Sequence, residues 1–348
     1  MDRRAGVQIT RDHKVIIQTA TVTANRRLCR EQYRLTFRVN ELPGACAGQF
    51  VHLRPDTESY SDYRTRHVTS RTAWDEWQAG CKTPLLRRAF SIAGLTRALD
   101  VVDAVYVDVI YRVVGLATRW MESLKIKDCL SVLGPLGNGF PIHDRKSVAW
   151  LAAGGVGLPP MLWLAEALHE RGKHIVAFCG AQTADLLALT VNPGALPAND
   201  ASRATSSCKE FAENDAPVVI STDDGSLGFR GHVGAAMAAF HSANPTASDE
   251  LVVYACGPEP MMRFVAQYCL ARDIECYVCK ERSMACGTGM CQSCVVPVHD
   301  ETDAEGWRYR LCCTEGPVFD AAHINWGYGD AATLTKGISR MKIAPRRG

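Results

Sequence analysis

Three cysteines near the end of the chain stand at a spacing that favours iron–sulfur chemistry. Cys286, Cys291 and Cys294 form C-x4-C-x2-C, and Cys312 and Cys313 follow at a distance. This is the plant-type spacing of a [2Fe–2S] cluster, in which three thiolates come from one loop and the fold brings a fourth. Two glycines inside the loop would let its backbone approach the sulfides closely. The sequence therefore predicts a [2Fe–2S] cluster here.

The alternative for these cysteines is a structural zinc site. Zinc sites usually take two matched short-spaced pairs, whereas the grouping here is three plus one. By spacing alone, either Cys312 or Cys313 could be the fourth ligand, and the other would then fill a small apolar position. Cys276 and Cys279 form a further C-x2-C just upstream, which we interpret as ordinary thiols.

A second set of residues favours a flavin. Arg88, Ala89, Phe90 and Ser91 form R-x-[FY]-[ST] on a predicted strand. A guanidinium can neutralise a pyrophosphate, an aromatic ring can pack on the cofactor, and the Ser91 hydroxyl can reach flavin N5, which makes it a candidate catalytic group.

A later strand and helix start complete the predicted flavin site. A small residue and a hydroxyl before a helix can accept a phosphate at the helix N-terminus. The residues in this second segment are Ile110, Tyr111, Arg112, Ala117 and Thr118.

Two loops, each between a strand and a helix, favour a nicotinamide dinucleotide. The first contains Gly154, Gly155 and Gly157 but lacks the full G-x-G-x-x-G fingerprint, so alone it is weak evidence. The second contains Cys256, Gly257 and Pro258. The Cys256 thiol could line the gap between nicotinamide and flavin, which makes it a second candidate catalytic group, and the alternative is a strand-end turn with a buried cysteine.

Both loops are predicted at the carboxyl ends of strands, where open α/β sheets bind ligands. At another strand end Asp223 offers a carboxylate to a ribose. No arginine cluster follows the strand HIVAFCG to hold a 2′-phosphate, which favours NAD over NADP.

The elements around these residues predict three modules, a β plus α/β architecture. Alternating apolar residues and turn residues predict an antiparallel Greek-key β-barrel for FAD over residues 15–145, with an insertion at about 56–84. Strands alternating with helices predict a Rossmann-like parallel sheet for NAD over residues 146–272, with an excursion at about 190–216. The cluster module follows at 273–326 and a tail at 327–348.

Composition excludes several function classes. The formal net charge of +2 gives no electrostatic footprint for nucleic acid and no polybasic membrane anchor. Residues 147–165 carry no charge, but glycines and prolines interrupt them, so we predict a strand, a loop and a helix start rather than a membrane span. No signal-peptide core precedes them, and the 15 cysteines are an odd number, so we expect reduced thiols in the cytoplasm.

With these motifs in place, the chain resembles the ferredoxin–NAD(P) reductase superfamily. More closely, it resembles the electron-transfer subunits of NAD-dependent (class 1B) dihydroorotate dehydrogenase. The matching segments include GQFVHLRP, LLRRAFSI, LGPLGNGFP, AAGGVGLPPM, YACGPEPMM, ERSMACGTGMCQSC and CTEGPVF, in family order. In this family the fourth ligand precedes x-x-G-P-V-F, so the resemblance favours Cys313. Ala117 stands where the family usually has Gly, and the chain is longer than its relatives.

The resemblance implies an electron relay among NAD(H), FAD, the [2Fe–2S] cluster and the FMN of a separate catalytic subunit in pyrimidine biosynthesis. It implies a heterotetramer of two subunits of each kind. One alternative is an NAD(P)H-dependent reductase component serving an oxygenase, a hydrogenase or a sulfide-linked complex. An alternative of another class is a non-enzymatic zinc or redox-sensing protein.

Overall fold

The computed structural model describes residues 14–56, 86–98 and 104–327. The predicted insertion at 56–84, with its Cys81, and the predicted tail at 327–348 lie almost wholly outside the described residues. Within the described ranges no helix is both long and apolar enough to cross a membrane.

The first module is a closed antiparallel barrel with strand order β1-β2-β5-β4-β3-β6. Apolar side chains alternate inward, and Leu35, Phe37 and Val109 are fully buried at its centre. The short amphipathic helix α1 (Leu116–Ser123) follows β5 and buries Met121. The six strands are β1 (Ile16–Arg27), β2 (Gln32–Val39), β3 (Phe50–Pro55), β4 (Arg88–Arg97), β5 (Val105–Arg112) and β6 (Cys129–Leu136).

The second module is a seven-stranded sheet in the order β10-β9-β8-β7-β11-β12-β15. Its first six strands run parallel, and β15 pairs antiparallel with β12 at one edge. The strands are β7 (Val148–Gly154), β8 (His174–Ala181), β9 (Val218–Thr222), β10 (Phe229–Arg230), β11 (Leu251–Cys256), β12 (Glu275–Cys279) and β15 (Val318–Asp320). The connecting helices are α2 (Leu158–His169), α3 (Lys209–Ala212), α4 (Val233–Ala243) and α5 (Glu259–Leu270).

The uncharged stretch that opens this sheet folds as the sequence predicts. Strand β7 leads into a 3₁₀ turn at Gly155–Gly157 and then into α2, whose first turn accommodates two prolines. Strand order reverses between β7 and β11, so the cleft at their carboxyl ends is the topological switch point of the sheet.

The third module is a cysteine-rich loop followed by the hairpin β13 (Val295–His299) and β14 (Trp307–Leu311). It is continuous with the sheet, because β12 precedes the loop and β15 follows the hairpin. The three modules share apolar cores: α2 packs against β4, and Phe50 and Leu136 of the barrel lie in one buried cluster with Cys294 and Cys313.

The fold class predicted from the sequence is therefore confirmed. The predicted excursion at 190–216 is tied back to the sheet by isolated bridges from Val191 to Cys208 and from Thr205 to Val218. Phe211 and Cys208 within it are fully buried.

Candidate functional site

The loop between β12 and β13 is built to hold thiolates. The Cys286 sulfur accepts hydrogen bonds from the backbone N–H groups of Thr288 and Cys291, each at 3.4 Å. Burial would raise the pKa of Cys286, but these N–H groups outweigh it and lower the pKa to about 6. Gly287 and Gly289 adopt φ values of +75° and +84°, a conformation that strains other residues. The loop thus curls around Cys286 and favours its deprotonated form.

The two adjacent cysteines at the end of the hairpin face different surroundings. The Cys312 thiol donates to the carbonyl oxygen of Lys280 at 3.2 Å, away from the loop, and its burial raises its pKa. The backbone N–H of Cys313 donates to the Cys294 sulfur at 3.4 Å. Burial, and then a side-chain hydrogen bond with Cys294, raise the pKa of Cys313 to about 12. Its position beside Cys294 favours Cys313 as the fourth ligand.

The four sulfurs are gathered as two pairs, Cys286 with Cys291 and Cys294 with Cys313. A two-iron cluster with four thiolate ligands needs two thiolates for each iron, and this donor set fits that requirement. Across residues 14–56, 86–98 and 104–327, no group of three His, Cys, Asp or Glu side chains is arranged to hold a metal ion.

The upstream C-x2-C does not act as a pair. Cys276 and Cys279 are three apart on β12, so their side chains point to opposite faces of the sheet. The thiol of Cys276 is hydrogen-bonded to that of Cys269 in α5, whereas the thiol of Cys279 is hydrogen-bonded to that of Cys256 at the end of β11; all four are free cysteines. Both side chains are buried, as expected for ordinary thiols.

The first flavin segment lies on β4, directly beside β3. Ala89 pairs with His52 and Ser91 with Phe50. The Arg88 side chain is exposed, and among the described residues its guanidinium donates to the nearby carbonyls of Leu86 and Arg87. An exposed guanidinium held by neighbouring backbone carbonyls can turn toward a pyrophosphate. Phe90 is half-buried.

The second flavin segment is largely part of the barrel wall. Ile110 and Tyr111 are buried on β5, and the Tyr111 hydroxyl donates to Asn25 at 3.2 Å. Arg112 forms an ion pair with Glu31.

Two residues of that segment lie in the first turn of α1. The Thr118 hydroxyl accepts from the backbone N–H groups of Val114 at 2.9 Å and Gly115 at 3.1 Å. Thr118 therefore caps α1 from within. Ala117 is half-buried in the same turn and has no polar side-chain group for a phosphate. A phosphate at this turn would therefore be bound by its backbone N–H groups.

The two predicted dinucleotide loops meet at the switch point. A Cβ on Gly157 would lie 2.1 Å from the Cys256 carbonyl oxygen, so only glycine permits this contact. Gly155 has a φ of +52° and nothing within 4 Å of its missing Cβ, which leaves an open concave backbone. At Gly154, the side chains of Met261 and Pro258 occupy the space that a Cβ would need. Such a backbone at a helix start is suited to a pyrophosphate.

Two further candidates lie at the edges of this cleft. Cys256 is buried and pairs in register with Cys279, and Gly257 after it has a φ of +153°. In the turn after β9, the Asp224 carboxylate accepts from the backbone and hydroxyl of Ser226 at 3.0 and 2.6 Å. Asp223 is exposed in the same turn, and its carboxylate remains the candidate ribose acceptor.

Comparison with known proteins agrees with this arrangement. Residues 281–325 match the iron–sulfur cluster binding domain of dihydroorotate dehydrogenase B, and residues 151–267 match the oxidoreductase NAD-binding domain. The dihydroorotate dehydrogenase B (NAD⁺) electron transfer subunit of Desulforamulus reducens is 32% identical over 70% of this chain and 81% of its own length. The subunit of the same name from Geobacillus kaustophilus is 31% identical over 87% and 96%.

The chain belongs to the family of dihydroorotate dehydrogenase B electron transfer subunits. It is an oxidoreductase component with NAD-binding and iron–sulfur-binding domains. A solved NADH-dependent reduced ferredoxin–NADP oxidoreductase shares the fold, with a TM-score of 0.65 and 22% identity over 93% of this chain and 94% of its own.

In this family member, two structural groups escaped the sequence analysis. Asn138 joins the barrel to the segment after Cys313: its amide donates to the carbonyls of Glu315 and Val318, and its side-chain oxygen accepts from the Val318 N–H. Its place between two glycines in LGNGF was the available signal.

The second group is a buried ion pair. The Lys280 ammonium contacts both carboxylate oxygens of Glu259 at 2.5 Å, and Arg282 lies 3.3 Å from the same carboxylate. Glu259 stands in the YACGPEPMM motif, directly after the turn residues predicted to line the nicotinamide. The pair joins the start of α5 to the start of the cluster loop.

Proposed function

We propose that this chain exchanges electrons between NAD(H) and the FMN of a dihydroorotate dehydrogenase catalytic subunit in pyrimidine biosynthesis. The observation that carries the proposal is the pairing of four cysteines beside the barrel. Three of them lie in a loop packed on β3, the neighbour of the flavin strand β4, and Cys313 follows the hairpin. When bound, FAD supplies the conversion between hydride and single-electron chemistry, and the [2Fe–2S] cluster carries single electrons. The relatives named above are electron transfer subunits of this enzyme.

In this proposal the cluster is held by Cys286, Cys291, Cys294 and Cys313. The backbone N–H groups at the first cysteine favour its thiolate and the two-pair grouping gives each iron two sulfurs. The Cys312 thiol instead donates a hydrogen bond to the carbonyl oxygen of Lys280, which keeps Cys312 out of the ligand set.

The flavin lies beside β4 in this proposal. Arg88 neutralises its pyrophosphate together with the first turn of α1, Phe90 packs on the cofactor, and Ser91 approaches N5. The remaining contacts proposed for it come from Ala89, Ile110, Tyr111, Arg112, Ala117 and Thr118; the burial of Ile110 and Tyr111 favours a supporting role for those two.

The dinucleotide lies at the switch point between β7 and β11. The open backbone of Gly154, Gly155 and Gly157 holds the pyrophosphate, and Asp223 accepts from a ribose hydroxyl. The turn of Cys256, Gly257 and Pro258 lines the nicotinamide side. The buried thiol positions the ring rather than exchanging protons, because it is covered by Cys279.

The partner docks over the cluster loop. Met290, between two ligand cysteines, is 85% exposed, and Cys291 next to it is also exposed. A large apolar side chain at the tip of a redox loop is suited to an interface. We expect a flavoprotein catalytic subunit there, two copies of each chain in the complex, and a cytoplasmic location.

The test is reconstitution with the catalytic subunit. The purified chain should show flavin bands, thiolate–iron absorption and, after NADH, the electron paramagnetic resonance (EPR) signal of a reduced [2Fe–2S] cluster. Mixed with the catalytic subunit, it should support the reduction of NAD⁺ by dihydroorotate. Zinc in place of iron would refute the cluster. A fully loaded chain that forms no complex with the catalytic subunit and supports no such reaction would refute the acceptor.

A further inference from the structure

His52 is a fully buried histidine at the contact between the barrel and the cluster loop. It lies on β3, where alternation sends Val51 and Leu53 into the barrel core and Phe50 and His52 to the outer face. Its side chain is 0% exposed. The module that covers it is the cysteine-rich loop.

The imidazole presents its N–C–N edge to that loop. A Cβ placed on Gly287 would lie 2.8 Å from Cε1, 2.9 Å from Nε2 and 3.1 Å from Nδ1 of His52. Gly287 directly follows the ligand Cys286 and has a φ of +75°. The absence of a side chain at this position is what brings the loop backbone onto the ring edge.

Both ring nitrogens of His52 lack a hydrogen-bond partner among the residues that the structure describes. An unpaired buried polar group is costly, so native proteins rarely leave one without a hydrogen bond. Burial, helped by the nearby charges of Arg87 and Arg88, lowers the pKa of His52 to about 4. The ring is therefore neutral at pH 7 and offers one N–H donor and one acceptor.

The ring edge lies against the residue that follows the ligand Cys286, and no described residue pairs with its nitrogens. The Cys286 sulfur takes its protein hydrogen bonds from Thr288 and Cys291, both within the loop. The barrel side of the same loop supplies the ring edge of His52. Hydrogen bonds to cluster sulfurs are one of the means by which proteins set iron–sulfur potentials.

We propose that His52 donates an N–H···S hydrogen bond to the [2Fe–2S] cluster, to a cysteine thiolate or a bridging sulfide, and so stabilises its reduced form. The proposal rests on the cluster named under the proposed function. It makes a barrel residue, paired in register with Ala89 of the flavin motif, part of the cluster's electronic environment.

The reduced cluster carries one more negative charge, so a donor to its sulfur stabilises that state more than the oxidised one. Loss of one charge-assisted hydrogen bond shifts an equilibrium by about tenfold. For a one-electron couple, a tenfold change corresponds to about 59 mV. Removing the donor should lower the cluster potential by about that amount relative to the flavin.

The first test is an EPR-monitored redox titration of the FAD- and cluster-loaded protein. His52→Leu should lower the cluster potential, His52→Gln should retain most of it because its amide can donate, and the neighbouring Phe50→Leu serves as the packing control. Equal potentials in the leucine variant and the unaltered protein, at equal iron content, would overturn the proposal.

The second test needs no variant. Pulsed EPR of the reduced protein, with ¹⁵N-labelled histidine and in D₂O, should show a histidine nitrogen and an exchangeable proton coupled to the cluster. A loaded cluster without a coupled histidine nitrogen overturns this proposal alone, because the backbone N–H groups that donate to Cys286 supply exchangeable protons in either case. A preparation without iron overturns the proposed function as well, whereas normal couplings with no dihydroorotate-dependent activity overturn only the acceptor.

Discussion

The buried ion pair at the start of the cluster loop should be a point where one substitution destabilises the fold. Lys280 has a side chain that is 0% exposed, and its ammonium lies 2.5 Å from both oxygens of Glu259 and 4.6 Å from the ring centre of Trp326. Glu259→Gln keeps the shape but removes the counter-charge. An ammonium would then remain in the interior with an amide oxygen as its acceptor.

The expected loss of stability follows from how deeply the Lys280 and Glu259 side chains are buried. Removing one partner of a buried pair costs about 3–5 kcal/mol, because the remaining charge is left unpaired. The Glu259 side chain is 42% exposed, so water screens part of this loss. We therefore expect Glu259→Gln to lower the free energy of unfolding by about 2 kcal/mol.

The sign of the pH dependence provides a second signature. Burial lowers the pKa of Lys280, and Glu259 acts against that decrease. Without Glu259 the folded-state pKa falls further below the unfolded value, so the unfolded state binds more protons between those two values. Stability of the variant should then rise with pH in that window, and its deficit should shrink as the pH approaches the unfolded-state pKa of lysine.

Urea unfolding at matched cofactor content measures both effects. The matched control is Lys280→Met, which removes the charge but keeps an unbranched apolar stem, together with the double variant. If the unpaired charge causes the loss, the double variant should be more stable than Glu259→Gln alone. A deficit in Glu259→Gln below about 0.5 kcal/mol, or strictly additive losses, would refute this reasoning.

Breaking the Lys280–Glu259 ion pair should also weaken the binding of the cluster. The carbonyl oxygen of Lys280 accepts from the Cys312 thiol, its N–H donates to the Pro317 carbonyl, and Arg282 donates to the Val295 carbonyl. The pair thus anchors both ends of the cluster module. Glu259→Gln should lose iron to a chelator several-fold faster than the unaltered protein, and Lys280→Met less so.

Three further predictions concern the other parts of the site. Cys313→Ser should lose or distort the cluster, whereas Cys312→Ser should keep about two irons per chain. Iron analysis and EPR measure the difference, and the reverse result would assign the fourth ligand to Cys312. Gly157→Ala should weaken NAD binding at least tenfold because its Cβ would meet the Cys256 carbonyl oxygen at 2.1 Å. Gly172→Ala, in the turn after α2, meets no atom within 4 Å and should cost only about 1 kcal/mol of stability from its positive φ. Calorimetry and urea unfolding measure these effects, and equal NAD binding in the two variants would contradict the contact. The unfolded chain protonates His52 near pH 6.5 but the folded chain near 4, so stability should fall as pH drops through this window; His52→Gln should flatten that fall in acid unfolding, and an unchanged slope would contradict the assignment.

The sequence was sufficient for the elements whose signals are local. C-x4-C-x2-C puts three thiols on one loop whatever the fold, and the glycine loop between β7 and α2 requires only a strand before it and a helix after it. Alternation predicted the barrel strands for the same reason. Each of these patterns lies within one strand, helix or loop and its flanking turn, so it can be recognised without knowing any contact between distant segments.

What escaped the sequence depends on contacts between distant segments. His52 looks like any polar residue on a strand until Gly287 is placed against it. Tyr111 and Arg112 match a flavin motif, yet Asn25 and Glu31 engage their polar groups. Contacts between segments far apart in the chain, which the sequence does not encode locally, decide both.

The contacts that join the modules bear directly on electron transfer. Asn138 makes three side-chain hydrogen bonds from the barrel to residues 315–318, just after Cys313, and Lys280 joins the cluster loop to the nucleotide helix α5. Phe50 of the barrel shares a buried core with Cys294 and Cys313. The flavin strand and the cluster loop are therefore positioned by a continuous core and paired polar groups rather than by linkers. Since the residues proposed for both sites rest on this packing, we expect electron exchange between flavin and cluster to need no rearrangement of the modules.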